Sequence, residues 1–233
     1  MDFKDKTVII TGGSEGVGAA TARAFADVGA NLVLVARTRK NLEQIAAELR
    51  EKTRVEIVPM DVSDADACAN LFKKADYELG AVHVLVNNAG YHQRGSVESV
   101  AADDLGKMID VNLKAPVMLC RMAIPYMKAA GEGAIINVAS LAGRTPVPGA
   151  ATYSASKFGL RAYTLALAEE LTATDIQLAA LSPGPNDTGY IMSNLDNVTD
   201  LTFSQPLSTA EDCAPEILKL CTNDKRERSM PPV

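Results

Sequence analysis

Six short apolar runs, each separated from the next by a longer segment, constrain the fold of this chain more than any other feature of its sequence. They are rich in valine, isoleucine and leucine and cover residues 7–11, 31–36, 55–60, 82–87, 134–139 and 176–181. Near-continuous apolar content is typical of strands buried on both faces, as in a parallel sheet. We therefore predict six such strands, and a further short strand at residues 229–233 is one interpretation of the C-terminal end.

The segments between these runs have the periodicity of helices. Between residues 42 and 49, apolar side chains recur at i, i+3, i+4 and i+7 with polar side chains opposite. The two longest helical patterns cover residues 104–129 and 153–174. Strands that alternate with helices are joined by right-handed crossovers, so we predict an α/β fold with a doubly wound parallel sheet and helices on both faces. The sequence contains no repeat or linker that would divide residues 1–233, and a single domain is expected.

The charge and the cysteine pattern exclude several classes of partner. The chain has 23 Lys and Arg against 29 Asp and Glu, a formal net charge of -6 at pH 7, whereas proteins that bind nucleic acids carry clustered cations. The four cysteines and two histidines are scattered without the spacing of metal ligands. We expect no nucleic-acid partner, no metal, and free thiols in a reducing cytoplasm.

Neither a signal peptide nor an integral membrane segment is predicted. Residues 1–6 are mostly polar and lead directly into the first strand pattern. No apolar run approaches the roughly 18 residues needed to cross a bilayer. A cytoplasmic location is therefore expected.

A glycine-rich turn follows the first predicted strand directly. It reads T-G-G-S-E-G-V-G over residues 11–18 and leads into a helical pattern. Glycines at 12, 16 and 18 permit a tight turn and a close approach of the main chain to a pyrophosphate, which the N-terminus of the helix attracts. A strand, a glycine turn and a helix in this order predict a dinucleotide site. The spacing is G-x-x-x-G-x-G and not the commoner G-x-G-x-x-G.

Tyr153 and Lys157 are four residues apart in the helical pattern T-Y-S-A-S-K, which places both side chains on one face. The pair is either a surface tyrosine over a lysine stem or a phenol whose acidity an ammonium group adjusts. Lowering the pKa of a phenol by two to three units requires roughly 3–4 kcal/mol. A unit charge about 4 Å away supplies roughly 4 kcal/mol at an effective dielectric constant near 20. The charge of one lysine is therefore large enough to lower the pKa of the tyrosine by this amount.

Taken in order along the chain, these motifs resemble those of the short-chain dehydrogenase/reductase family. The matching positions are the T-G-x-x-x-G-x-G turn, Asp61-Val62, Asn87-Asn88-Ala89-Gly90, Asn112, Ser140, the Y-S-A-S-K segment, and Pro183-Gly184 with Thr188. Singly, each has an ordinary explanation, such as an Asx turn for Asp61 or a capping serine at 140. Together they favour the family, which implies a Rossmann-like NAD(P)-binding domain over residues 1–233.

The resemblance implies a role for each of four catalytic residues. Tyr153 would be the general acid in reduction and the general base in oxidation. Lys157 would lower the pKa of Tyr153 and hydrogen-bond the nicotinamide ribose. Ser140 would hold the substrate oxygen beside Tyr153. Asn112 would fix a helix irregularity and a water that links Lys157 to solvent.

The resemblance also implies a set of cofactor-binding residues near the carboxyl ends of the strands. They are Gly12, Ser14, Gly16, Val17, Gly18, Arg37, Asp61, Val62, Asn88, Ala89, Gly90, Tyr153, Lys157, Pro183, Gly184 and Thr188.

Residues after the second strand bear on the choice of nicotinamide cofactor. Ala36 stands where an acidic residue would bind the ribose 2′-hydroxyl of NAD. Arg37 follows it, and a guanidinium can hold a 2′-phosphate through two hydrogen bonds. We therefore predict NADP(H) in preference to NAD, while the carboxylate of Glu15 in the glycine turn argues in the opposite direction.

The predicted function is the NADP(H)-dependent reduction of a ketone or other carbonyl, lipid-, steroid- or β-ketoacyl-like, to a secondary alcohol by hydride transfer. Two alternatives remain open: an NAD-linked secondary-alcohol dehydrogenase and a non-catalytic NADP(H)-binding regulator. The substrate would be framed by residues 91–97 and 141–150 and by a substrate loop at 187–207. The family also implies a homodimer or homotetramer formed through the helices at 104–129 and 153–174.

Overall fold

The apolar runs form one parallel sheet, seen in a computed structural model that describes residues 1–184 and 209–230. Its strands are β1 (Thr7–Thr11), β2 (Asn31–Ala36), β3 (Val55–Pro59), β4 (Val84–Asn87), β5 (Gly133–Val138), β6 (Ile176–Pro183) and β7 (Glu227–Met230). Their order across the sheet is β3-β2-β1-β4-β5-β6-β7, and every paired neighbour is parallel. The strand order reverses between β1 and β4, where a ligand is expected at the carboxyl ends of the strands.

Helices connect the strands and cover both faces of the sheet. They are α1 (Gly16–Asp27), α2 (Arg39–Leu49), α3 (Ala65–Leu79), α4 (Ala102–Ile109), α5 (Ala115–Ala130), α6 (Ala151–Glu170) and α7 (Ala210–Thr222). A π-helical turn, Asp110–Lys114, joins α4 to α5, and a 3₁₀ turn, Leu141–Gly143, follows β5.

The core divides into one cluster on each face of the sheet. Phe25 of α1, Leu42 of α2 and Ile217 of α7 are fully buried against one face. Phe72 of α3 and Leu119 of α5 belong to the cluster on the other face, where α6 also packs. The predicted doubly wound parallel sheet is therefore confirmed.

Several predicted boundaries differ from the structure. The pattern at 104–129 is not one helix, because Asn112 lies in a π-helical turn that separates α4 from α5. The helix predicted at 153–174 is α6, which begins at Ala151 and ends at Glu170. The last strand lies at Glu227–Met230, earlier than expected, and residues 231–233 lie outside the described part of the chain.

Within the described residues, no helix is both long and apolar enough to cross a membrane. The same residues contain no group of three or more His, Cys, Asp or Glu side chains that could hold a metal ion. The four cysteines are buried.

Candidate active site

The turn between β1 and α1 has the shape that its glycines predict. Gly12 and Gly16 adopt φ of 66° and 51°, a backbone region that other residues rarely occupy. A Cβ atom on Gly18 would lie 2.0 Å from the carbonyl oxygen of Gly12, so no side chain fits there. Ser14 lies within the turn and Val17 is buried in the first turn of α1. The N-terminus of α1 therefore stands at the end of β1 with its main chain accessible to an anion.

The N-N-A-G segment after β4 is joined to this turn by hydrogen bonds. The hydroxyl of Thr11 accepts from the N–H groups of Asn88 and Ala89, both at 3.0 Å. The side-chain amide of Asn88 donates to the carbonyls of Thr11 and Gly12 at 3.0 and 3.2 Å. Gly90, which follows, is exposed. The structure thus brings the predicted cofactor residues of β1 and β4 together.

Arg37 and Asp61 stand at the ends of β2 and β3. Arg37 is exposed, whereas Asp61 is half-buried and Val62 is buried. Burial favours the protonated form of Asp61, but hydrogen bonds from Ser63 and the charges of Arg37 and Lys107 outweigh it and lower the pKa of this carboxyl. The Ser63 N–H donates to Asp61 at 2.9 Å, so the Asx turn is also present.

Asn112 connects the π-helical turn to the loop that follows Gly90. Its Oδ1 accepts from the N–H of Tyr91 at 2.7 Å, and its Nδ2 donates to the carbonyl of Tyr91 at 2.7 Å. The same Nδ2 donates to the hydroxyl of Ser156 on α6 at 3.2 Å. Asn112 is fully buried, and the helix irregularity expected at this residue is the π-helical turn.

Ser140, Tyr153 and Lys157 meet where β5 ends and α6 begins. Ser140 caps the 3₁₀ turn, accepting from the N–H of Ala142 at 3.1 Å, and its side chain is close enough to Tyr153 to lower the pKa of that phenol. The turn packs closely on α6, since a Cβ atom on Gly143 would lie 2.7 Å from the carbonyl oxygen of Lys157. The capping role and the catalytic role of Ser140 are therefore compatible.

The pKa of Tyr153 is raised in the structure, whereas the resemblance implies that Lys157 lowers it. Burial raises the pKa of Tyr153 above its ordinary value, against the opposing effects of the Ser140 hydrogen bond and the charge of Arg94. Burial also lowers the pKa of Lys157 to about 8. The reason is the direction of the ammonium group: Lys157 Nζ donates to the carbonyl of Val138 at 2.9 Å and lies 5.8 Å from the centre of the Tyr153 ring.

His92 is a residue near the site that the sequence patterns do not single out. Its ring stacks on that of Tyr153, with the ring centres 4.1 Å apart and the planes at 27°. Burial, together with the charges of Arg94 and Lys157, lowers the pKa of His92 to about 4. Its position two residues after the N-N-A-G motif, at the carboxyl end of β4, is the signal that could have indicated it.

The remaining predicted residues follow β6. Pro183 is the last residue of β6 and is buried, and Gly184 follows it. Thr188 and the predicted substrate loop at 187–207 lie outside the described residues. The other fifteen predicted cofactor residues lie near the carboxyl edge of the sheet or near the start of α6.

Comparisons with known proteins agree on one family. A family model described as short chain dehydrogenase matches residues 6–198. An uncharacterized oxidoreductase of Staphylococcus saprophyticus is 35% identical over 208 residues, 88% of this chain and 82% of that protein. One from Staphylococcus aureus strain USA300 is 31% identical over 207 residues, 89% of this chain and 88% of that protein. A crystal structure described as that of a short-chain alcohol dehydrogenase from Sinorhizobium meliloti has a TM-score of 0.87 and 30% identity, covering 94% of this chain and 90% of that chain.

Proposed function

This chain belongs to the short-chain dehydrogenase family of oxidoreductases, and we propose that it reduces a carbonyl compound to a secondary alcohol with NADP(H), using Tyr153 as general acid. The observation that supports this most is the position of Tyr153, close to the Ser140 hydroxyl that lowers its pKa and with its ring centre 5.8 Å from the ammonium nitrogen of the buried Lys157 one helical turn away. A phenol, a hydroxyl that orients it and a nearby cation are the groups that proton transfer to a carbonyl oxygen requires.

The residues at the carboxyl edge of the sheet fit a nicotinamide dinucleotide. Side chains at Gly12 and Gly18 would collide with Asn88 and with the main chain of Ala89 and Gly12, so the turn is formed by main chain, whose N–H groups would bind a pyrophosphate. Arg37 and Asp61 would hold the adenosine end, and Asn88 and its neighbours would follow the cofactor toward Tyr153. When bound, the dinucleotide supplies the hydride, and the protein supplies position and the proton.

Tyr153 is suited to donate that proton in the direction of reduction. Because burial raises its pKa, the phenol is protonated near neutral pH. Ser140 would hold the carbonyl oxygen beside the phenol. Lys157, with a pKa of about 8, titrates close to neutrality, so it is able to return a proton to Tyr153 after turnover. Asn112 donates a hydrogen bond to Ser156, which lies on α6 together with Lys157. Asn112 would hold the water that links Lys157 to solvent.

The preference for NADP(H) is proposed from Arg37, which is exposed at the end of β2 where Ala36 replaces an acidic residue. We expect Arg37→Ala to weaken NADPH binding about 10- to 100-fold, on the order of 1.4 kcal/mol for each factor of ten, and to leave NADH binding unchanged. Arg39→Ala is the matched control, because Arg39 is also exposed but faces Glu43 on α2. Equal affinities of the wild type for both cofactors would contradict this preference.

Turnover of a panel of carbonyl compounds tests the proposed chemistry. The absorbance of NADPH or NADH is followed with ketones, β-ketoacyl esters, steroids and secondary alcohols. We expect Tyr153→Phe to abolish turnover with NADPH binding intact, whereas Tyr163→Phe, on the same helix, remains active. Turnover by Tyr153→Phe at the wild-type rate would exclude Tyr153 as the acid, and bound cofactor without turnover of any compound would favour the regulator.

We also propose that the protein is a homodimer or homotetramer associated through α5 and α6. Both helices carry apolar side chains that are only partly buried in the described structure, among them Met122, Tyr163 and Leu167. A second copy that packs on these helices would cover the exposed parts of these side chains. Light scattering on the purified protein tests this, and a monomer at micromolar concentration would contradict it.

A further inference from the structure

The loop segment of residues 91–95, which enters the site after β4, is fixed at both ends. At its start, Asn112 binds the main-chain N–H and carbonyl of Tyr91, both at 2.7 Å. At its far end, the N–H of Gly95 donates to the carbonyl of Gly149 at 3.0 Å, two residues before α6 begins. Gly95 and Gly149 have φ of 149° and 72°, which L side chains rarely adopt. The segment is therefore held in one conformation against the start of α6.

This fixed segment places the imidazole of His92 on the phenol ring of Tyr153. The separation of 4.1 Å between ring centres and the angle of 27° describe a stacked pair, an arrangement that aromatic side chains favour. One face of the phenol is thus covered by another ring. Rotation of Tyr153 about its side-chain bonds would break this contact, so the stack opposes that rotation.

The imidazole is neutral in this contact. Its pKa of about 4 results from burial and from the positive charges of Arg94 and Lys157, so at pH 7 it carries no proton on its second nitrogen. A neutral ring adds no further positive charge beside Tyr153. The contact is consequently one of shape and stacking, and it holds throughout the pH range in which dehydrogenases are assayed.

We propose that His92 is a positioning residue, whose ring holds the Tyr153 phenol in its orientation beside Ser140. This inference rests on the proposed function, because His92 acts through Tyr153. Displacement of a catalytic group by about 1 Å can lower a rate by on the order of a hundredfold. Loss of the stack should therefore lower kcat more than it changes the affinity for the cofactor, because most of the predicted cofactor contacts, such as those of the turn after β1, lie away from Tyr153.

Four variants test the role of the stack. His92→Phe keeps a flat ring, whereas His92→Ala and His92→Leu remove it, and Leu fills a comparable volume if the Ala variant does not fold. We expect kcat to fall about 10- to 100-fold in the Ala and Leu variants and to stay within about threefold of wild type in the Phe variant. His83→Ala is the control: it removes a half-buried histidine that accepts from the Thr7 N–H at 3.1 Å, away from the site, and should leave kcat unchanged.

The outcomes separate the inference from the function on which it rests. If Tyr153→Phe is inactive but His92→Ala and His92→Leu keep kcat within about twofold of wild type, the inference is overturned and the function stands. A Phe variant as slow as the Leu variant would also overturn it, because the ring nitrogens and not the stack would then matter. A wild type that turns over no substrate, or an active Tyr153→Phe, would overturn the proposed function and this inference together.

Discussion

Thr11 and Asn88 bind each other through both side chains and main chains at the point where the sheet changes strand order. The hydroxyl of Thr11 accepts from the N–H of Asn88, and the side-chain amide of Asn88 donates to the carbonyl of Thr11, each at 3.0 Å. Thr11 is the last residue of β1 and Asn88 follows the end of β4, and these two strands are paired at the centre of the sheet. The cofactor turn and the N-N-A-G segment therefore form one hydrogen-bonded unit.

Replacing Thr11 by valine should destabilise this unit. The variant keeps the volume but leaves the N–H of Ala89 without its acceptor and the N–H of Asn88 with only the carbonyl of Val86, and an unsatisfied buried donor costs about 1–3 kcal/mol. We expect the free energy of unfolding in urea to fall by about this amount and NADPH binding to weaken. Thr21→Val is the control, because Thr21 is also fully buried but its hydroxyl donates within α1 to the carbonyl of Val17. Equal effects of the two variants would contradict the prediction.

The sequence predicted the sheet better than the site. The strands β1 and β2 were predicted to the residue, because a strand buried on both faces is apolar throughout and carries its own signal. The π-helical turn at Asn112 was not located by periodicity, since it depends on hydrogen bonds to Tyr91, 21 residues away. The stack of His92 on Tyr153 likewise depends on a loop fixed by Gly149, which no local pattern reports.

The pair of Tyr153 and Lys157 shows why spacing alone was insufficient. Four residues along a helix place the two side chains on one face, and the structure agrees. Spacing does not specify where the ammonium group points, and the carbonyl of Val138 at the end of β5 accepts from it. The pKa of Tyr153 is therefore set first by burial, a tertiary effect.

Glu227 on the edge strand β7 should contribute measurably to stability through Arg144 and Arg161. Arg161 binds both carboxylate oxygens, and Arg144 lies 2.5 Å from Oε1. Glu227 is mostly buried, so its removal leaves two partly buried cations. We expect Glu227→Gln to lower the free energy of unfolding by about 1.5–3 kcal/mol.

The contrast with a solvent-exposed pair makes this prediction specific. Arg23 and Glu48 also form a bidentate pair, with two hydrogen bonds, but both side chains are exposed. Such exposed pairs contribute only about 0.2–1 kcal/mol. Glu48→Gln is therefore the matched variant. The pKa of Glu227 is lowered in the folded state, so its contribution is present above the ordinary pKa of a glutamate and is lost as pH falls through the folded value. A Glu227→Gln effect no larger than that of Glu48→Gln would contradict the prediction.

Lys157 should make stability rise with pH in alkaline solution. Its pKa is about 8 in the folded state against 10.5 as the ordinary value, so between these values the unfolded chain binds more protons than the folded one. Stability attributable to Lys157 therefore increases from about pH 8 to about pH 10.5, by up to about 3 kcal/mol. The free energy of unfolding of the wild type minus that of Lys157→Met, measured across this range, should show the increase. A difference that is constant with pH would contradict it.

Gly143 should set the distance between Ser140 and Tyr153. A Cβ atom there would lie 2.7 Å from the main-chain oxygen of Lys157, which is backbone of α6 and cannot rotate away. Gly143→Ala must therefore push the 3₁₀ turn, and the serine that caps it, away from the helix that carries the phenol. We expect kcat to fall about 10- to 100-fold with NADPH affinity unchanged.

Gly106→Ala on α4 is the control. No atom lies within 4 Å of the added carbon, so this variant should keep full activity and gain about 0.5–1 kcal/mol of stability. Full activity of Gly143→Ala would mean that the contact between Ser140 and Tyr153 does not depend on this packing.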